Sequence, residues 1–238
     1  MSVETLTEAE RGYLETLFWL FEAGLPLTAA NVARAMRLSA PSVHEMIGRL
    51  ERGGLITRRS DKVIEFTAAG EAQAQEIVSR HRLIERFLTD VLGIPWDEVH
   101  EEAERLEHAM SPVLEERMLA AIGDAKTCPH GHPIRVGTRI PSVPLADVAP
   151  GARVRVVRFE NEAEDLLHYL RETGLEPGVE GTLAQAGPDE LVIESDAGRR
   201  CVITRSVAET VSVEADPSPP PRVALPEQLV FGTQRYGR

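Results

Sequence analysis

The chain has 238 residues, 42% of them hydrophobic, which is enough for one or two buried cores with linkers. Its formal net charge of −12 excludes a generally adhesive nucleic-acid binder, and no apolar run approaches the roughly 20 residues that span a bilayer. The only cysteines, Cys128 and Cys201, argue against a disulfide framework, and the acidic N-terminus lacks the basic start of a secretory signal, so a reducing cytoplasm is expected.

In chain order, Thr7 can cap a helix whose Leu14, Leu17, Phe18, Leu20 and Phe21 recur with helical period, ending near Gly24. Thr28 opens a short second helix, about 29–36, with Val32 and Met36 inward. Ser39-Ala40-Pro41 is an N-cap followed by a first-turn proline. The third helix it starts buries Val43, Met46, Ile47 and Leu50 and stops at Gly53-Gly54. Residues 55–57 and 63–66 are strand-like runs about a polar turn and predict a hairpin. Three helices and a hairpin in about 70 residues describe a winged helix-turn-helix, whose third helix would lie in the major groove of duplex DNA; a protein-binding winged helix is the alternative, because the basic wing is short. Ser39, Pro41, Ser42, His44 and Glu45 then occupy its exposed N-terminal turn, while Arg49, Arg58, Arg59 and Lys62 are placed to meet phosphates. Ser39 and Pro41 also have a structural use as cap and helix start, and both uses can hold together.

Thr67 begins a long helix to about Leu92, ended by Gly93-Ile94-Pro95; a second runs from Trp96-Asp97 to about Met110, and Ser111-Pro112 starts a third, to Ile122. From Glu71 to Asp124 there are thirteen Asp or Glu against five Arg. His81 and Glu85 lie four residues apart, and His100, Glu104, Glu107 and His108 follow at helix-repeat spacings, so each set shares one face. For any single pair a solvated helix face is the ordinary explanation. Six imidazoles and carboxylates without balancing lysine point instead to a hard or borderline divalent ion, Mn(II) or Fe(II). Phe87, Leu88, Trp96, Leu106, Val113, Leu114 and Met118 exceed what a thin helical layer buries, so a homodimer contact is expected.

Residues 125–150 shift to Pro, Gly and His and read as a linker or an ordered loop. Cys128, His130 and His132 alternate in it without a plausible fourth ligand nearby, which reads as structural rather than as zinc binding. Five short β-rich runs between 153 and 213 surround one helix, about 162–172, and suggest a small barrel. Glu160, Glu162, Glu164 and Asp165 crowd that helix's start, where they suit its dipole or lend a carboxylate to a metal. The Pro-rich tail from Glu214 is expected to be disordered.

The stretches SAPSVHEMIGRLERGGLI, HRLIERFLTDVLGI, VHEEAERLEHAMS and CPHGHPI resemble, in that order, the DtxR/MntR family of metal-dependent transcriptional repressors. The resemblance implies a mainly α fold with a β-rich C-terminal part. Its parts would be a winged helix-turn-helix (1–70), a helical metal-binding and dimerisation domain (71–124), a linker (125–150), an FeoA/SH3-like β-barrel (151–213) and the tail (214–238). It further implies a homodimer on a palindromic operator and no substrate beyond metal ions. Carried over by position, an ancillary metal position would use His81, Glu85 and His100 with Glu162 and Asp165 from the barrel. An activating position would use Glu104, Glu107 and His108 plus a group from the first helix. Glu104 stands where the iron-responsive branch has cysteine, which favours Mn(II), with Fe(II) as the alternative. Gly12 stands where the family has its first-helix ligand; Glu15 is expected to replace it, with Glu10 as a second candidate. On this reading Glu107→Ala abolishes metal-stimulated DNA binding and His130→Ala leaves it intact. The competing readings are a constitutive winged-helix regulator, favoured by Gly12, and a metalloenzyme built on a helical His/Glu site.

Overall fold

A computed structural model describes residues 6–135 and 140–216. The first layer is helical. Thr7 opens α1 (Glu8–Glu22) through a capping box with Glu10; α2 (Ala29–Met36) and α3 (Ala40–Arg52) follow, N-capped by Thr28 and Ser39. Strands β1 (Ile56–Arg58) and β2 (Ile64–Phe66) pair antiparallel as the expected hairpin, pinned to the connection between α1 and α2 where the Ile64 amide donates to the Leu27 carbonyl at 2.7 Å. Leu14, Leu17, Phe18, Val32, Val43, Ile47 and Leu50 close on Ile56 and Ile64 to form the core.

Helix α4 (Ala68–Leu92) has 25 residues, about 37 Å at 1.5 Å per residue, and belongs to two cores. Ala74, Ile77 and Val78 join the winged-helix core, whereas Leu83, Ile84 and Leu88 pack with Val99 and Ala103 of α5 (Val99–Glu107), Met118 of α6 (Pro112–Ala121), Ile122 and Ile134. His81 therefore falls at the seam. Helix α5 is shorter than its sequence pattern suggests: Trp96 to Glu98 form a turn and His108 is already the C-cap. Leu88 and Met118 are buried in this core and Trp96 packs on the sheet, leaving Leu106, Val113 (67% exposed) and Leu114 of the apolar surplus, joined by Val91 and Leu92 (60%), on the surface.

The C-terminal unit is a six-stranded antiparallel sheet. Strands β3 (Val143–Pro144), β4 (Arg153–Phe159), β5 (Glu180–Ala186), β6 (Glu190–Ser195), β7 (Arg200–Thr204) and β8 (Val211–Ala215) lie in the order β3-β8-β4-β5-β6-β7. Among the described residues the sheet is open and does not close into the barrel that the strand spacing suggests. Helix α7 (Glu164–Thr173) covers one face through Leu167 and Leu170, and a short α8 (Arg205–Ala208) precedes β8. Strand β8 runs on to Ala215; the Pro-rich tail from residue 217 lies outside the described residues. Among those residues no helix is long and apolar enough to cross a membrane.

Two contacts dock this sheet on the helices. Trp96 stacks near Phe159, with ring centroids 5.6 Å apart, and the buried Asp97 carboxylate accepts from His168 Nδ1 at 2.5 Å and Arg171 at 2.7 Å. Of the two readings of 125–150, linker or ordered loop, residues 127–134 take the second: they turn back on themselves and lie against a bulge in β4 at Val156/Arg158. Gly131 sits there with φ +93°, and a Cβ on it would lie 1.9 Å from the Val157 carbonyl oxygen. Gly131→Ala should therefore push the loop off β4 and cost about 2–3 kcal/mol of stability in urea denaturation; a change below about 0.5 kcal/mol would contradict this docking.

Candidate metal centre and DNA-reading surface

Residues 15, 19 and 22 fall on one stripe of α1 by helical period, and that stripe lies on α4. Glu15 brings its carboxylate within 3.3 Å of His81 Nδ1, which also lies 3.3 Å from Glu107 Oε2 of α5. The other nitrogen of the same ring, Nε2, stands 3.2 Å from Glu85 Oε1 and 3.1 Å from His100 Nδ1. Trp19 covers the two imidazoles, its ring 5.9 Å from His81 and 5.5 Å from His100. Glu15, His81, Glu85 and Glu107 are all buried, and His100 is half-buried.

A second cluster continues from Glu85. Its Oε2 lies 3.5 Å from His130 Nδ1, which is 3.5 Å from Glu162 Oε2 and 4.0 Å from Cys128 Sγ. His130 Nε2 donates to the Trp96 carbonyl at 2.7 Å, so a neutral ring keeps its Nδ1 lone pair turned to the cluster. His132 donates from Nε2 to the Phe159 carbonyl at 2.7 Å and stands 3.1 Å from Glu162 Oε1.

These residues suit a divalent cation. Donor atoms around one ion at about 2.1 Å lie roughly 3.0–3.5 Å apart, the spacing seen here. Three triads bring one donor atom from each residue within 4.8 Å of one another: Glu15-His81-Glu107, His81-Glu85-His100 and Glu85-Cys128-His130. A buried oxygen of Glu15 and Oε2 of Glu85 have no hydrogen-bond donor, a cost that a cation would remove. A neutral imidazole has one lone pair, so His81 serves either the first triad or the second, and two ions fit best as Glu15-His81-Glu107 and Glu85-Cys128-His130 with Glu162.

Protonation reflects the same crowding. Burial, with Glu107 beside it, raises Glu15 to about 7 despite the nearby His81. Burial opposes charge on His81 and His130, yet Glu15 and Glu85 hold the first, and Glu85 and Glu162 the second, well above the ordinary imidazole value. Burial also works against ionised Glu85, but His130 and His81 keep it well below the usual carboxylate range. Burial lowers His132 and raises the Cys128 thiol.

The geometry brings together Glu15, His81, Glu85, His100, Glu107 and Glu162, and it leaves out three residues expected as ligands. Glu104 and His108, four residues apart at the end of α5, are exposed: Glu104 lines an acidic groove with His100, Glu101, Glu102, Glu162 and Glu164, and His108 Nε2 lies 3.5 Å from Glu8. Asp165 is exposed in the first turn of α7. Glu10 is occupied by its capping box and by Arg49 at 2.9 Å, so it does not replace the ligand absent at Gly12. The Cys128 loop is less isolated than its sequence neighbourhood suggests. Groups that could complete a cation site with it come from α4 and the segment before α7, remote in sequence. Trp19 was missed altogether, although the i, i+4 spacing from Glu15 marked it.

Residues 5–63 match the family model for the iron dependent repressor N-terminal DNA binding domain, and 67–135 match its metal binding and dimerisation domain. Residues 143–215 match the FeoA domain. Iron-dependent repressor IdeR of Mycobacterium leprae is 30% identical over 225 residues, covering 88% of this chain and 98% of that protein. The chain belongs to the DtxR/MntR family of metal-dependent transcriptional repressors. The diphtheria toxin repressor of Corynebacterium diphtheriae is likewise 30% identical to this family member, over 89% of the chain and 99% of its own length. Among solved structures, a manganese-dependent transcriptional repressor in complex with manganese has a TM-score of 0.79 at 27% identity, covering 87% of this chain and 100% of that one. The chain is thus a metal-dependent DNA-binding regulator with a winged helix, a helical dimerisation domain and a C-terminal FeoA domain.

On the winged helix, Ser39, Pro41, Ser42, His44 and Glu45 all lie exposed at the start of α3, with Ser39 capping through the Ser42 amide. His44 shares a cleft of about 540 Å³ with Arg58, Arg59 and Lys62 of the hairpin. Much of the basic charge is already paired: Arg49 with Glu10, Arg58 with Glu51, and Arg59 with Asp61 and Glu65.

Glu15 and His81 both hold protons in the folded chain that the unfolded chain gives up at lower pH, about 4.5 for Glu15 and 6.5 for His81. Each therefore contributes stability that is lost as pH rises, Glu15 between about 4.5 and 7 and His81 above about 6.5; His130 acts in the same sense and His132 oppositely. The metal-stripped protein should melt at a lower temperature at about pH 8.5 than at about pH 5.5; a higher melting temperature at the alkaline pH would contradict this charge balance.

Proposed function

We propose that this chain is a Mn(II)-responsive repressor that acts as a homodimer on a palindromic DNA operator in the cytoplasm, with residues 1–70 reading DNA and 71–124 holding metal and partner. The observation that carries the reading is the Glu15-His81-Glu107 triad, because its three members come from α1, α4 and α5. A divalent cation supplies there the positive charge that the buried carboxylates lack. Glu15, rigid on α1, then holds the winged helix against α4, and Trp19 shields the ligands from water. Pulled apart, Glu15 and Glu107 regain hydration but lose the fixed spacing between the two recognition helices of a dimer, which must match about 34 Å on DNA. The metal's differential affinity for the closed arrangement sets the size of the switch.

The first triad offers only carboxylate and imidazole, a donor set suited to Mn(II). Fe(II) is the second reading. It is favoured by Cys128 in the neighbouring cluster, where a thiolate with imidazole and carboxylate takes a softer ion than Mn(II). The exposed apolar residues of α4, α5 and α6, Leu92 and Val113 foremost, support a helical dimer contact. We assign the chain no catalytic role.

Fluorescence anisotropy on an operator selected from random duplexes tests the switch. Mn(II) should tighten binding at least about tenfold, about 1.4 kcal/mol. Equal affinity with and without metal would end the proposal. Glu15→Gln and Glu107→Ala should each remove the stimulation, and Glu104→Ala should retain most of it. His130→Ala, which the sequence alone predicts to be silent, should weaken Mn(II) binding in calorimetry by about tenfold or more.

A further inference from the structure

Arg82 is buried, at 2% exposure, and the metal ligands leave it unused. Its guanidinium faces Glu22 with both terminal nitrogens: Nη1 donates to Glu22 Oε1 at 3.3 Å and Nη2 to Oε2. Nη1 donates as well to the carbonyl of Pro133, at 3.1 Å, in the loop that carries Cys128 and His130. Glu22 is the last residue of α1, where a carboxylate opposes the helix dipole and where the final turn has no basic residue of its own. A buried Arg-carboxylate fork in that place is a directional joint rather than a source of bulk stability, since desolvation cancels much of its attraction. One turn further along α4, Arg86 donates to the Thr127 and Cys128 carbonyls at 2.7 and 2.8 Å but to nothing on α1.

We propose that Arg82 is a positioning residue that joins the Cys128-His130 loop to α1, so that the state of the loop cluster reaches the winged helix through Glu22 as well as through Glu15. The inference rests on the metal-switch reading above but names a separate route. Glu15 couples α1 to His81 by a shared ion, whereas Glu22, Arg82 and the Pro133 carbonyl couple it to the loop by hydrogen bonds that need no ion. Ordering of the loop by Glu85, Cys128 and His130 then fixes the Pro133 carbonyl, hence Arg82, hence the end of α1. The two contacts on α1 lie seven residues apart, at Glu15 and Glu22, and together set both its position and its tilt.

Hydrogen exchange on the full-length metal-stripped protein tests the joint without any ion. Glu22→Gln, nearly isosteric, and Arg82→Met should each accelerate exchange about tenfold in both the last turn of α1 and residues 127–134, while Arg86→Lys should accelerate the loop alone. The charge-swapped pair Glu22→Arg with Arg82→Glu should restore protection that either single change loses, a rescue that simple loss of packing would not give. In the DNA assay, Arg82→Met should cut the gain from Mn(II) alone at least about threefold with Glu15, His81 and Glu107 intact. Unchanged α1 exchange in Glu22→Gln, or a swapped pair no better than the worse single change, would overturn the joint. Wild-type protein with no Mn(II) gain would instead refute the switch, and the exchange results would still decide the joint on their own.

Discussion

The structure is organised around a charge problem: Glu15, Glu85 and Glu107 are buried about a single imidazole, with no arginine or lysine among them. Two like charges about 4 Å apart repel by about 4 kcal/mol at an effective dielectric near 20, a large share of the 5–15 kcal/mol that holds an ordinary domain together. Such a cluster persists only with protons or a cation inside it. Because its members come from α1, α4, α5 and, through Glu85, from the Cys128 loop, whatever settles the charge also settles how those segments meet.

The rest of the fold serves that meeting point. Helix α4 is long enough to give its first half to the winged-helix core and its second half to the helical core, which leaves His81 and Glu85 at the seam. The C-terminal sheet closes the other side. Glu162 reaches His130 and His132, and Asp97, clasped by His168 and Arg171, holds α7 against the start of α5. Relatives named for iron and a structural neighbour named for manganese share the architecture.

Much of this was legible in the residues. Caps at Thr7, Thr28, Ser39, Thr67 and Ser111 mark helix starts where the structure has them, and β4, β6 and β7 occupy the segments their β-rich runs indicate. His81, Glu85, His100 and Glu107 follow from helical spacing and do converge. What local spacing leaves open has a physical cause. Helical spacing groups Glu104, Glu107 and His108 on one side of α5 but does not fix which of them enters the core; the structure buries Glu107, exposes Glu104 and sets His108 beside Glu8 at the start of α1. The Cys128 loop looked short of ligands because its partners, Glu85 and Glu162, are set by tertiary docking on the β4 bulge. Glu22 and Arg82 gave no local signal, being sixty residues apart and paired only once α1 lies on α4.

Crystals soaked in Mn(II), with data collected at the manganese absorption edge, test the central claim most directly. The account predicts an anomalous peak about 2.2 Å from donor atoms of Glu15, His81 and Glu107, bridging α1 to α4 and α5. Strong peaks found only on the exposed acids of α5, with the Glu15-His81-Glu107 triad empty, would contradict it.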